Sequence, residues 1–139
     1  FVAPRASILI VDDNQMNLKV ASGLLRPYQI KIVTADSGKA AIKLLEENTF
    51  DMVFMDHMMP GMDGVETLKH IRAMERDVCK TVPVVALTAN AVSGACEMFL
   101  EEGFCDMVAK PIEMSLFEKV LQRWLPEELI EHEGETDEQ

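Results

Sequence analysis

Residues 51–64, "DMVFMDHMMPGMDG", decide how this chain folds. The run 51–55 is short and apolar, as expected for a strand that is buried on both faces of a sheet. Asp56 follows it directly, and Pro60 and Gly61 then turn the chain. Burial of an unpaired carboxylate costs on the order of several kcal/mol. Asp56 therefore either faces solvent as a turn residue or lies beside groups that use its charge.

Similar apolar runs recur along the chain, and each is followed by an amphipathic segment that is typical of a helix. The predicted strands cover residues 7–11, 30–35, 51–55, 82–88 and 105–109. The predicted helices cover residues 15–26, 38–48, 64–76, 91–103 and 113–125. Asp13 or Asn14 is the predicted N-cap of the first helix, and Ser37 that of the second. This alternation predicts an α/β fold in which helices cover both faces of a five-stranded parallel sheet.

Composition predicts one globular domain and an acidic tail. The chain has 139 residues, of which 48% are hydrophobic and 27% charged, and these values are ordinary for a single domain. Its net charge is −11, and residues 126–139 contribute seven acidic and no basic residues. We therefore expect residues 1–125 to form the domain, and residues 126–139 to end the last helix and to be frayed or disordered beyond their first few residues. An acidic surface repels phosphate backbones, so nucleic-acid binding is not expected.

The remaining composition predicts a cytoplasmic setting. Cys79, Cys96 and Cys105 cannot all pair, and no C-x-x-C motif occurs, which indicates reduced thiols. No apolar run approaches the ~20 residues of a membrane span, so no direct membrane contact is expected. The chain begins with Phe1 rather than methionine, which indicates a segment of a longer protein.

The carboxyl ends of the predicted strands carry the candidate functional groups. Ligands bind beyond these ends in open parallel sheets. The groups are Asp12 and Asp13 after the first strand, Asp56 after the third, Thr88 at the end of the fourth, and Lys110 after the fifth. Three carboxylates at one edge repel each other, and a hard divalent cation such as Mg²⁺ relieves the repulsion. Lys110 can pair with a carboxylate or a phosphate, and Thr88 can bond a phosphoryl oxygen.

A carboxylate nucleophile, a lysine and Mg²⁺ together suit phosphoryl transfer. Asp56 would attack phosphorus in line, while the cation and Lys110 neutralise charge on the equatorial oxygens. The product would be an aspartyl phosphate. Each acidic residue taken singly is explained as well by turn or N-cap chemistry, and Thr88 by an ordinary strand-end hydroxyl. Their joint placement favours a site.

Four motifs in this order resemble the receiver domain of two-component response regulators, over residues 7–125. They are "VDDN" at 11–14, "FMDHMMPGMDG" at 54–64, "ALTAN" at 86–90 and "AKPI" at 109–112. The resemblance implies a flavodoxin-like (βα)5 fold with strand order 2-1-3-4-5. It also implies that the phosphoryl group comes from a histidine kinase or a histidine phosphotransfer domain. The motifs look most like receivers fused to hybrid sensor histidine kinases, with a free-standing receiver as the alternative.

The resemblance implies a role for each site residue. Asp56 is the phosphoacceptor, Lys110 contacts the phosphoryl group, and Thr88 moves toward that group after transfer. Such a domain is not a classical enzyme, although it catalyses its own phosphorylation and dephosphorylation.

The resemblance also implies a metal site and a cis peptide bond. Mg²⁺ (or Mn²⁺) is implied to bind Asp13, Asp56 and the backbone carbonyl of Met58 directly, with Asp12 acting through a bound water molecule. The bond between Lys110 and Pro111 is expected to be cis, which is uncommon even before proline.

Signal output is implied to use the face formed by the fourth predicted helix, the fifth strand and the last helix. This face is also the candidate homodimer interface. Family members usually have an aromatic residue three positions before the lysine, where Met107 stands here. Methionine has no ring to lock one state, so the switch is expected to respond less or differently. Met58 and Asn90 occupy positions at which family members tune phosphoryl lifetime, and Met58 is predicted not to orient an attacking water.

Three other functions are alternatives to the phosphorylation switch. A phosphorylation-independent interaction module of the same fold would be favoured by a degraded acidic pocket, and this pocket is intact. A phosphatase that acts on small substrates typically has a second aspartate two residues after the nucleophile, where Met58 stands. A flavin- or nucleotide-binding relative would need a glycine-rich loop, which "VDDNQMN" does not provide.

Overall fold

The computed structural model describes residues 2–59, 61–89, 95–110 and 112–131, with backbone only for Ala95 and Cys96. Five strands form one sheet in which every neighbouring pair is parallel. They are β1 (Ser7–Val11), β2 (Lys31–Ala35), β3 (Met52–Asp56), β4 (Val84–Thr88) and β5 (Asp106–Ala109). The order is β2-β1-β3-β4-β5, which confirms the predicted class and strand order. The predictions for Asn90 and the Pro111 bond lie outside the described residues.

The described helices follow the predicted ones, with one addition. They are α1 (Gln15–Leu25), α2 (Gly38–Glu47), α3 (Gly64–Ala73), α4 (Asp77–Thr81), α5 (Ala95–Glu102) and α6 (Met114–Trp124). The single predicted helix over 64–76 is wrong at its end, because Met74 is extended and the short α4 follows. A five-residue helix is too short to show a 3.6-residue pattern. Within the described ranges, no helix is long and apolar enough to cross a membrane.

Side-chain caps explain where three helices begin. Asn14, rather than Asp13, caps α1: its side-chain oxygen accepts a hydrogen bond of 2.9 Å from the amide of Met16. Ser37 caps α2 as predicted, accepting from the amide of Ala40 at 3.1 Å. Asp63 caps α3, a role that the sequence analysis did not assign. Each such cap satisfies an amide that the helix itself leaves unpaired.

Alternate residues of the strands supply two separate cores, one on each face of the sheet. One core packs against α1 and α6 and contains Ile8, Ile10, Phe54, Leu87, Leu18, Phe117 and Leu121. The other packs against α2, α3 and α5 and contains Leu9, Val11, Val53, Met55, Leu45, Leu68 and Phe99. The two cores confirm that helices cover both faces, as the apolar strands predicted.

The chain beyond residue 125 returns to the domain. A 3-10 turn (Glu127–Leu129) is followed by an antiparallel bridge in which the amide of Val2 donates to the carbonyl of Glu131 at 2.8 Å. Leu129 and Ile130 pack against the core between the sheet, α1 and α6. The described structure thus continues six residues past the predicted boundary, and the expected disorder of the tail concerns residues 132–139, which are not described.

Gly64 lies where the chain leaves β3 and enters α3, and its backbone touches the end of the strand. A Cβ atom there would lie 2.5 Å from the carbonyl oxygen of Asp56 and 3.0 Å from the Cα of His57. We expect Gly64→Ala to lower the free energy of unfolding by about 1–3 kcal/mol or more, because backbone must shift. Urea unfolding would measure this change. Gly23→Ala is the control, since nothing lies within 4 Å of its Cβ and helix propensity alone should make it mildly stabilising.

Candidate functional site

The buried end of β3 places Asp56 beside two other charged side chains. Asp56 is the last residue of β3 and 4% exposed, and Asp12, directly after β1, is 1% exposed. The ammonium nitrogen of Lys110 lies 3.1 Å from Oδ2 of Asp12 and 3.1 Å from Oδ1 of Asp56. Lys110 follows β5, so its side chain reaches past β4 to the ends of β3 and β1. Asp56 is therefore a buried carboxylate with a partner, not a turn residue facing solvent.

Backbone amides hold the two buried carboxylates in place. The amide of Asn14 donates to Oδ1 of Asp12 at 2.9 Å, and the amide of Met58 donates to Oδ1 of Asp56 at 3.3 Å. Both amides belong to the loops that follow the strands, so loop and side chain orient each other. The carboxylates are positioned before any ligand arrives, which limits the entropy lost on binding.

Burial and the opposing charges of the site together shift the pKa values of Asp56 and Lys110. Burial raises the pKa of Asp56 to about 6, against the hydrogen bond from Lys110, and the nearby charge of Asp12 adds to the increase. Burial works to lower the pKa of Lys110, but the hydrogen bonds and charges of Asp56 and Asp12 raise it overall. Three carboxylates and one ammonium group line a cavity at this site, so the formal negative charge exceeds the positive charge and a further cation can balance it.

The donor set fits a hard divalent cation. Asp12, Asp13 and Asp56 each offer a carboxylate oxygen, and these atoms all lie within 4.8 Å of one another. Asp13 is exposed while the other two are buried, so the cluster is open to solvent on one side. Oxygen-only ligands are those that Mg²⁺ and Mn²⁺ prefer.

A cavity of about 240 Å³ brings most of the predicted site residues together. Its walls are formed by Asp12, Asp13, Asn14, Asn17, Asp56, Met58, Ala89 and Lys110. Thr88 is buried at the end of β4, and the adjacent Ala89 lines the cavity. Met107 is half-buried against the core formed with α2, α3 and α5, and is not among the lining residues. Predicted residues from β1, β3 and β5 therefore converge at one edge of the sheet.

Two asparagines in this cavity were missed by the sequence analysis as lining residues. Asn14 was assigned only as a cap, and Asn17 lies one turn further along α1. The three-residue spacing places both on the same side of the helix, which is the signal that could have identified Asn17.

His57 follows the phosphoacceptor candidate, but its ring packs elsewhere. It lies edge-on against Phe99 of α5, with ring centroids 4.8 Å apart. Phe99 is buried among residues of α2, α3 and β3. Neighbouring residues of a strand point to opposite sides, and the ring of His57 accordingly packs against Phe99.

A comparison with known families agrees with this geometry. The sequence model of the family described as the response regulator receiver domain matches residues 8–122. The chain is a response regulator receiver domain. Its fold, with five parallel strands in the order 2-1-3-4-5, is the one found in solved receiver structures.

Curated relatives of this receiver domain are much longer proteins. Sensor protein GacS of Pseudomonas syringae pv. syringae is 37% identical over 123 residues, which cover 88% of the receiver domain and 13% of GacS. Signal transduction histidine-protein kinase BarA of Escherichia coli (strain K12) is 35% identical over 120 residues, covering 86% and 13% respectively. The receiver domain therefore spans about 13% of the length of these relatives.

Solved receiver domains are similar over nearly their whole length. The receiver of sensor histidine kinase PA1611 from Pseudomonas aeruginosa PAO1, with magnesium coordinated in its active-site cleft, has 34% identity and a TM-score of 0.76. The match covers 86% of this chain and 96% of that one. The receiver of Ssk1 from Saccharomyces cerevisiae, crystallised with the histidine phosphotransfer protein Ypd1, has 30% identity and a TM-score of 0.79, with 89% and 91% coverage.

Proposed function

We propose that this receiver domain accepts a phosphoryl group on Asp56 from a phosphohistidine, in a reaction that depends on Mg²⁺ or Mn²⁺. The observation that carries the proposal is the position of Lys110, 3.1 Å from the carboxylates of both Asp12 and Asp56 at the wall of an open cavity. Two buried carboxylates share one ammonium group there. A metal ion can balance the remaining negative charge, and the open cavity leaves space for a phosphoryl group.

The transfer uses Asp56 as the nucleophile. One of its carboxylate oxygens forms the new bond to phosphorus, the P–N bond to the donor imidazole breaks, and the imidazole leaves with the electron pair. Lys110 neutralises charge on the equatorial oxygens, and the Thr88 hydroxyl bonds a phosphoryl oxygen of the product. The resulting acyl phosphate can be hydrolysed, so the signal is reversible.

Two carboxylates and one backbone carbonyl are the proposed direct metal ligands, and a third carboxylate is proposed to act through water. Asp13, Asp56 and the carbonyl of Met58 would hold the cation directly, while Asp12 would act through water. When bound, the cation supplies positive charge beside the phosphoryl oxygens. The chain itself contributes the position of these ligands, because amides of Asn14 and Met58 fix the buried carboxylates.

The proposed donor is a histidine kinase or a histidine phosphotransfer domain. An imidazole can reach Asp56 only through the open side of the cavity, so the donor must cover the surface around it. On α1, Met16 is 65% exposed and Val20 is 47% exposed. Val20 and Ile112 also line a second cavity of about 120 Å³, next to Lys110. These apolar groups suit the binding surface of a partner.

The relatives support a parent protein of the hybrid sensor histidine kinase class, with this domain on its cytoplasmic side. Signal output is proposed to use the face of α5, β5 and α6, and the outer surfaces of these helices include the exposed residues Met98 and Leu100 of α5 and Leu116 of α6. This face is also the proposed homodimer interface. Met107 stands where the family usually has an aromatic residue, so this face is proposed to respond to phosphorylation less than in other family members, or differently.

Intact mass measurement after incubation with acetyl phosphate and Mg²⁺ tests the phosphoacceptor. The wild type should gain the mass of one phosphoryl group, and chelation of the metal should prevent the gain. Asp56→Asn should gain none, because an amide nitrogen or oxygen does not replace the carboxylate nucleophile. Asp36→Asn is the control, since Asp36 is exposed and lies outside the cavity. Incorporation in Asp56→Asn, or in neither protein, contradicts the proposal and favours the phosphorylation-independent module.

A further inference from the structure

Met58 is the most exposed of the ten methionines, with 72% of its surface open to solvent. Met52, Met55 and Met59, which surround Asp56 in sequence, are buried. A methionine thioether that solvent reaches can be oxidised to the sulfoxide, whereas a buried one is protected. Exposed methionines are common, but this one lies next to the carboxylate of the candidate site.

Met58 forms part of the wall around the carboxylate that we propose is phosphorylated. Its amide donates to Oδ1 of Asp56 at 3.3 Å, and it lines the 240 Å³ cavity together with Asp56, Ala89 and Lys110. Asp56 lines this cavity, so water inside it can reach an acyl phosphate on Asp56. A thioether sulfur is only a weak hydrogen-bond acceptor, so Met58 in its reduced form does little to hold such a water.

We propose that Met58 is an oxidation-sensitive site that shortens the lifetime of the phosphorylated domain, an inference that rests on the proposed function. The oxidant is a peroxide. The sulfur of Met58 donates two electrons, the peroxide O–O bond breaks, one oxygen becomes bonded to sulfur, and the other leaves as water. The step is reversible by methionine sulfoxide reductase, so it acts as a switch rather than as damage.

The sulfoxide changes the chemistry of the cavity wall. Its S=O group is polar and accepts hydrogen bonds strongly, where the thioether did not. A water bound to this oxygen sits beside the phosphorylated carboxylate and is oriented for attack. One added hydrogen bond corresponds to about a 2- to 10-fold faster loss of the phosphoryl group.

The test compares loss of the phosphoryl group before and after mild treatment with hydrogen peroxide. Peptide mapping first establishes that Met58 carries the added oxygen. The protein is then phosphorylated with acetyl phosphate, the donor is removed, and intact mass is followed over time. We expect loss to accelerate about 2- to 10-fold in oxidised wild type, and to return to the initial rate after reductase treatment.

Two variants separate Met58 from the other methionines, each compared with its own untreated form. Met58→Leu removes the sulfur, so peroxide should leave its rate of loss unchanged. Met16→Leu removes an exposed methionine that is outside the cavity lining, and should accelerate like the wild type. An unoxidised Met58, an unchanged rate in oxidised wild type, or equal acceleration in Met58→Leu would overturn the inference. Failure of untreated wild type to take up phosphate would instead contradict the proposed function.

Discussion

Replacement of Lys110 by methionine is expected to slow phosphorylation of Asp56 by acetyl phosphate roughly 10²- to 10³-fold at saturating Mg²⁺. Lys110 is the single cationic side chain among the described residues that line the cavity. Its ammonium is already placed 3.1 Å from the nucleophile, so it stabilises developing charge without reorganisation. Methionine keeps most of the apolar stem and removes only the charge. The initial rate of mass gain measures the effect.

Controls distinguish loss of the charge from loss of the fold. Lys43→Met removes an exposed lysine of α2 and should phosphorylate at the wild-type rate. Lys110→Arg keeps a positive charge but not the compact ammonium, so its rate should fall between those of wild type and Lys110→Met. Circular dichroism should show the same helical content in all variants. A Lys110→Met rate within about threefold of wild type would contradict an electrostatic role for this residue.

Replacement of Asp56 by asparagine is expected to stabilise the metal-free domain at pH 7.5, by up to about 3 kcal/mol. The pKa of Asp56 is raised to about 6, mainly by burial, from its ordinary value near 3.8. The folded state therefore keeps a proton on Asp56 at pH values where the unfolded chain has released it. Stability of the wild type consequently falls as the pH rises from about 4 through 6. Asparagine has no proton to lose and escapes this decline.

Urea unfolding of both proteins between pH 4.5 and 7.5, with a metal chelator present, measures the difference. The advantage of Asp56→Asn should be largest above pH 6 and should shrink as the pH falls toward 4, where Asp56 is protonated in the folded state and becomes partly protonated in the unfolded chain. Added Mg²⁺ should stabilise the wild type more than the variant, because the cation binds the folded carboxylates. Asp36→Asn, at an exposed position, should show neither effect. An advantage that grows at low pH would contradict the assigned pKa.

Local patterns predicted most of the fold. The first strand was predicted with its observed bounds, Ser7–Val11, because a short run of apolar residues has few alternatives to a buried parallel strand. The ends of helices were less accurate, since they depend on caps and on packing. The short α4 and the cap at Asp63 lie in a polar stretch and a turn whose sequences fit several conformations. The pairing of Val2 with Glu131 joins the two ends of the described chain, and no local signal indicates it.

The candidate site was predictable for a related reason. Residues that follow parallel strands must meet at one edge of the sheet, so their positions in the sequence were enough to group Asp12, Asp56 and Lys110. The length of each strand and the direction of each side chain determined whether those groups would touch. The 3.1 Å contacts join residues 98 and 54 positions apart, and only the folded chain shows them.

The order of apolar and polar residues alone determined that this protein is a five-stranded α/β domain with acidic groups and a lysine at the strand ends. That information is local, because periodicity and strand-end chemistry are read within a few residues. The burial of a side chain and the identity of the residues around it are not local properties of the sequence. The raised pKa of Asp56, the contact between His57 and Phe99, and the exposure of Met58 each depend on which distant segments pack together. Tertiary packing decided them, because it alone sets how much water each side chain meets.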